Sequence, residues 1–150
     1  MKLLIPPPVV VAAFGALMWL IARYVETGRF SFALQTPLAA VLLVIALILM
    51  VAAIRSFVAA KTTVNPLKPS KASHLVMSGP FAWSRNPIYL GDLILLSALA
   101  LWLGHAAAFL MLPLFVFYVN RFQIIPEEQA LDKLFGDEYR AYKAKVRRWL

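Results

Sequence analysis

Residues 37–54, PLAAVLLVIALILMVAAI, carry no charged side chain, and the run stops at Arg55. A second such run, residues 6–22, opens with Pro6, Pro7 and Pro8, which suit the entry of a helix but not its middle. A helix crossing a hydrocarbon core of ~30 Å needs about 20 apolar residues, with ~17 as the lower limit. Both runs meet that need. A chain of 150 residues that is 62% apolar and 15% charged cannot hide two all-apolar helices inside a soluble core. A bilayer removes the difficulty.

Two further apolar runs follow. Residues 88–104 are interrupted only by Asp92 and Ser97, and residues 106–119 begin after His105. Together they are too long for one crossing, so Gly104-His105 is the breaking point of a tight helical hairpin with two short arms. The reading is an all-α integral membrane protein with about four transmembrane helices, the last two a hairpin, plus a C-terminal amphipathic helix. It forms one domain: two N-terminal membrane helices in 1–60, a loop in 61–87, the hairpin in 88–121 and a tail in 122–150. Lys2 alone is a thin positive region, and no small-x-small site precedes Arg23. The first run therefore reads as a retained helix, not a cleaved leader.

The net charge of +8 does not point to nucleic acid, because the basic residues flank the apolar runs instead of forming a module of their own. Lys2, Arg55, four basic residues in 61–87 and seven after Val119 stand against Arg23 and Arg29 alone. That bias puts both termini and the 61–87 loop in the cytoplasm, with the chain in the inner membrane of a cell. Lys61, Lys68 and Lys71 are expected to face anionic lipid, and Trp83, Trp102 and Trp149 to sit in the interfacial belt. Cysteines are absent, which excludes disulfides, thiolate metal sites and cysteine nucleophiles; two histidines and seven acids leave no metal site to predict.

In the tail, Leu131, Leu134, Phe135, Tyr139, Tyr142, Val146 and Trp149 recur at helical steps. Pro126 followed by Glu127 and Glu128 reads as a helix start, with acids at the positive end of the dipole. Gly136 interrupts the helix, and Asp137 is expected to cap a second one. Basic residues between the apolar ones suit a helix lying on lipid headgroups.

The densest polar chemistry lies in residues 74–91, HLVMSGPFAWSRNPIYLG. Gly79-Pro80 reads as a turn, and Asn86-Pro87 as the N-cap and first residue of the third membrane helix. Arg85 brings a forked, permanently charged donor to that helix start, suited to a carboxylate or phosphate. Asp92, about one turn into the helix, is an acid inside a membrane segment and so a functional candidate. The hairpin should bring Arg85 and Asn86 across from a second cluster: Asn120, Arg121, Gln123, Glu127 and Glu128. Such a pocket suits a zwitterionic, nucleotide-like ligand. On the residues alone, Arg85 and Arg121 read equally well as interfacial anchors, and Glu127-Glu128 as a plain helix start.

The 74–91 stretch resembles the His-x-x-Val-x-x-Gly-Pro-Phe/Tyr-x-x-x-Arg-His/Asn-Pro-x-Tyr-x-Gly block of the isoprenylcysteine carboxyl methyltransferase family, which is related to the phospholipid N-methyltransferases. The tail EEQALDKLFGDEYRAYKAKVRRWL is similar to that family's second block. The resemblance runs from about residue 74 to the end. It implies an integral-membrane methyltransferase that uses S-adenosylmethionine and transfers its methyl group to a lipophilic acceptor reached from the bilayer. Carried over by motif position, His74, Val76, Gly79, Phe81, Arg85, Asn86, Pro87, Tyr89, Glu127 and Glu128 bind the cofactor. Arg85, Arg121 and Glu128 carry the catalytic roles. Asn86 departs from the histidine common in the prenylcysteine enzymes, and FQIIP lengthens the step from Arg121 to Glu127. A phospholipid amine or small thiol is the alternative acceptor; a sterol-reductase-like enzyme and a non-enzymatic membrane protein are more distant alternatives.

Overall fold

The computed structural model describes residues 5–60 and 74–150. Lys61, Lys68 and Lys71, expected against anionic lipid, lie outside the described residues, as does Lys2. The described residues are helical, with no strand beyond one isolated bridge between Arg29 and His105. The elements are α1 (Pro7–Tyr24), α2 (Gln35–Ala59), α3 (Pro87–Leu103), α4 (Met111–Val119), α5 (Ile125–Phe135) and α6 (Asp137–Lys145). Short 3₁₀ turns, Gly79–Ala82 and Ala106–Leu110, precede α3 and α4.

Three helical stretches are long and apolar enough to cross a membrane: Pro7–Tyr24, Gln35–Ala59 and Ala106–Phe135. Helix α3, 17 residues long, is apolar but shorter. It is the centre of the bundle: α1 and α2 each pack on α3 more than on one another. Small residues make the α2–α3 contact close. Ala46 and Ala53 are wholly buried, and a Cβ on Gly91 would stand 2.5 Å from Met50 Cγ. Close backbone approach of this kind is how apolar helices gain contact where no hydrophobic force separates lipid from protein. On the outside of α2, Val41, Val44, Ile48 and Val51 are exposed, as expected of a lipid-facing surface. The main core joins Met18 of α1, Leu96 and Ala100 of α3, and Phe115 and Val119 of α4, with Phe14 edge-on to Phe115 at 5.4 Å.

The chain turns at Gly104-His105, where Gly104 ends α3 at φ 63°. A side chain there would be strained, and its Cβ would lie 2.5 Å from Phe30 O. The turn locks onto the α1–α2 connection: Phe30 N–H donates to Gly104 O and Ala106 N–H to Gly28 O, each at 2.8 Å. His105 is wholly buried between them. Its Nδ1 accepts from Ala107 N–H at 3.2 Å, so its Nε2 carries the proton and donates to Val25 O at 3.1 Å.

Beyond α4 the structure corrects two expectations. Pro126 does stand in the first turn of α5 with Glu127 and Glu128 behind it, although α5 continues directly from α4 in the helical stretch Ala106–Phe135. A π-helical turn, Asn120–Ile124, joins α4 to α5. Proline has no N–H to give an unbroken α-helix, and the widened turn just upstream absorbs that break in register. Asp137 does not cap α6. Gly136, at φ 51° and ψ −121°, takes the cap position, and Asp137 instead pairs with Arg140 at 2.9 Å. Lastly, the apolar stripe of the tail does not lie toward headgroups. Tyr139, Tyr142 and Val146 are buried against Leu75, Leu131 and Phe135. After α6 the chain extends and folds back toward the start of α3.

Candidate active site

At the bundle end opposite Gly104-His105, a cavity of about 700 Å³ opens among the start of α1, the end of α2, the 74–89 segment, α5 and α6. Its two walls differ in kind. One is apolar: Pro6, Pro7, Pro8, Val11 and Ala12 of α1 with Met50, Ile54 and Phe57 of α2. The other carries His74, Arg85, Asn86, Tyr89, Asp92, Glu127, Glu128, Tyr139 and Tyr142.

The polar wall is built around Glu128. Arg85 Nη1 reaches Glu128 Oε1 at 2.9 Å, and both side chains are about nine-tenths buried. Arg148 grips the same carboxylate as a fork, Nε to Oε1 at 3.0 Å and Nη2 to Oε2 at 2.8 Å. A two-point guanidinium grip fixes orientation as well as charge. Arg85 Nη1 also donates to the Tyr139 hydroxyl at 3.2 Å, while its Nε is buried with no partner among the described residues. Burial, with Glu128 adding to it, holds the Tyr139 hydroxyl above the ordinary tyrosine range. Burial raises Tyr142 still more, and its hydroxyl donates to Phe81 O at 2.7 Å. Neighbouring Glu127 accepts from the Tyr89 hydroxyl at 2.9 Å.

The last residues of the chain hold this wall together. Arg85 N–H donates to Arg147 O at 3.0 Å, and Asn86 Nδ2 to Arg148 O at 2.9 Å. Trp149 Nε1 donates to Asn120 Oδ1 at 3.2 Å, so this tryptophan is a partly buried strap residue, unlike the exposed Trp83 and Trp102. Asn86 does occupy the N-cap position of α3, but its side chain makes no cap bond because it serves the strap instead.

Of the residues expected in the pocket, His74, Val76, Phe81, Arg85, Asn86, Pro87, Tyr89, Glu127 and Glu128 all line the cavity. Gly79 does not. It sits at φ 62°, where a Cβ would fall 2.7 Å from Ser56 Oγ, so its part is to let the loop lie against α2. Arg121 is also outside: it is exposed, with its guanidinium 6.0 Å from the Phe122 ring. The expectation that Arg121 faces Arg85 fails because the π turn sets it on the outer side of the helix, away from Glu127 and Glu128. Arg148 holds the place expected for it. Nothing in the spacing of the terminal Arg-Arg pair marked it, since a basic chain end reads most simply as lipid-facing. The tyrosines of α6 were visible only as an apolar stripe, and the apolar wall on α1 and α2 only as membrane helix.

A sequence model of the phospholipid methyltransferase family matches residues 34–138, well over half of the 150-residue chain. The chain belongs to the phospholipid methyltransferase family. The match takes in α2, α3 and Glu127-Glu128. An uncharacterized protein of Haemophilus influenzae is 52% identical over 63 residues, which is 42% of this chain and 100% of that protein. No solved structure matches. Membership of the phospholipid methyltransferase family, with its apolar helices, makes this chain an integral membrane methyltransferase.

Proposed function

We propose that the protein transfers the methyl group of S-adenosylmethionine to a lipophilic acceptor that enters from the bilayer. One observation carries this: a single cavity has a charged wall on one side and an apolar wall of membrane helices on the other. Its volume of about 700 Å³ lies within the range of small-molecule sites, about 300–1,000 Å³. The donor set suits that cofactor. Its ribose hydroxyls or ammonium match the Glu127 carboxylate, and its carboxylate matches the guanidinium of Arg85, whose buried Nε lacks a partner. Bound there, the sulfonium supplies an already activated methyl group. What the protein must add is position and exclusion of water. Arg85, Glu128 and Arg148 form the frame that orients the cofactor, while Met50, Ile54 and the first turn of α1 hold the acceptor's apolar chain.

Arg85 and the basic residues of the tail lie at this end of the bundle, and the positive-inside bias supports a cavity on the cytoplasmic side. The resemblance to the isoprenylcysteine carboxyl methyltransferases in the 74–91 stretch supports the cofactor more than the acceptor. The test is transfer itself. Membranes containing the protein, given S-adenosylmethionine labelled at the methyl group, should yield label extractable into organic solvent, and Arg85→Ala and Glu128→Ala should each lose it. No such label from the wild type would overturn the reading.

A further inference from the structure

Asn120 and Gln123, expected across from Arg85, do not line the cavity; they hold the two segments that border it. Both belong to the π turn Asn120–Ile124, where Ile125 N–H donates back to Asn120 O. Turns of this width inside helices are rare and frequent at functional sites. Gln123 is 1% exposed, and its Nε2 donates to Ile5 O at 2.8 Å, its one polar contact among the described residues. Ile5 directly precedes Pro6, Pro7 and Pro8, which enter α1 and form part of the apolar wall. Three prolines bring no N–H, so the entry of α1 has no donor of its own at these positions, and the anchor comes from Gln123. On the other side, Asn120 Oδ1 accepts from Trp149 Nε1 at 3.2 Å, and Trp149 follows directly on Arg148, whose guanidinium grips Glu128. One turn therefore holds both chain ends, one against each wall.

We infer that Gln123 is a positioning residue for the acceptor wall and that Asn120, through Trp149, is a positioning residue for the cofactor frame, so that the π turn sets the spacing between the two reactants. This rests on the proposed cofactor and transfer reaction, and it adds what holds the two walls in register. Methyl transfer to a nucleophile depends on the gap between donor and acceptor, and a misplacement of about 1 Å can cost roughly 100-fold in rate. The two tethers act on different partners. Gln123 reaches α1 and has no bond to the charged wall, whereas Asn120 reaches the strap and has none to α1. The turn also gives a use to FQIIP, the step at which this chain departs from the prenylcysteine enzymes, since Phe122, Gln123 and Ile124 of that step are in the turn.

The experiment uses the full chain, which has no cysteine of its own. Nitroxide labels at Val9→Cys of α1 and Leu134→Cys of α5, both exposed and outside the cavity lining, report by their separation how α1 is seated. Gln123→Met keeps the length of the side chain and removes its donor. In that variant the distance distribution should broaden or shift. Transfer of labelled methyl from saturating S-adenosylmethionine into extractable membrane lipid should fall at least about tenfold. Its affinity for S-adenosylhomocysteine should stay within about twofold of wild type, which also shows that it folds. Asn120→Ala and Trp149→Phe should behave in the opposite way. Each should weaken S-adenosylhomocysteine about fivefold, as the loss of one hydrogen bond does, and leave the α1 distance unchanged. The double variant should bind no more weakly than either single one, because the two residues share one contact. An unaltered distance in Gln123→Met, or a loss of S-adenosylhomocysteine affinity there equal to that of Trp149→Phe, would overturn the assignment of Gln123. Additive losses in the double variant would overturn that of Asn120. A wild type that binds no S-adenosylhomocysteine would overturn the cofactor reading, with the α1 distance still deciding for or against the Gln123 tether.

Discussion

The two ends of this helix bundle are both closed by polar groups, but they close differently. At the Gly104-His105 end, His105 and Gln35 are spent on backbone partners: His105 on Val25 O and Ala107 N–H, Gln35 on Leu101 O at 2.8 Å. Both ring nitrogens of His105 are satisfied. At the other end, charged side chains hold one another around a cavity, and two buried atoms have no partner among the described residues, Arg85 Nε and Gln123 Oε1. Buried polar groups in proteins are normally hydrogen-bonded. The contrast separates a satisfied cluster that holds helices in place from an unsatisfied one that fits the proposed ligand site.

The comparison can be broken first at its most charged point. Glu128→Ala leaves Arg85 buried without its carboxylate and frees Arg148, a loss of about 3–5 kcal/mol for a buried pair with one partner removed. Cofactor binding should fall at least about 100-fold. At the opposite end, His105→Ala leaves Val25 O and Ala107 N–H unpaired, which costs about 3 kcal/mol of stability. A lowered thermal midpoint with cofactor affinity within about twofold of wild type would sharpen the division between the ends. If His105→Ala weakened cofactor binding as much as Glu128→Ala, the division would not hold.

Much of this was legible in the sequence, and the part that was not has a common cause. The charge-free run 37–54 and the Gly104-His105 break announced membrane helices and a hairpin, because apolar length and a glycine turn act locally. Arg85, Tyr89, Glu127 and Glu128 stood out as polar groups beside apolar runs. Arg148, Tyr139 and Tyr142 did not, because their roles depend on where the chain goes after Gly136. Arg121 was misplaced for a related reason: grouping 120–128 as one polar cluster at the hairpin's end cannot foresee the π turn that divides it.

Smaller effects refine the same comparison. Tyr89→Phe removes only the hydroxyl that donates to Glu127, a change of about 1 kcal/mol, and should weaken cofactor binding roughly fivefold while lowering the thermal midpoint by only about 2–4 °C. The docked tail should loosen in alkali. Tyr139 and Tyr142 keep their protons above the ordinary tyrosine value in the folded protein. In the unfolded chain they ionise near about pH 10. Above that pH the unfolded state holds fewer protons than the folded one, so unfolding becomes easier as pH rises, while nothing changes from this source below it. Thermal midpoints followed upward through about pH 10 should fall, and less steeply in Tyr142→Phe. An identical slope in the variant would show that the tyrosine is not responsible.

The most direct measurement is a calorimetric titration of the purified protein in detergent with S-adenosylhomocysteine, the demethylated cofactor, on wild type, Arg85→Ala and His105→Ala side by side. Saturable one-site binding to the wild type and to His105→Ala, with none to Arg85→Ala, is the predicted result. No binding to the wild type, or near-normal affinity in Arg85→Ala, would contradict a cofactor site at the charged end of the bundle.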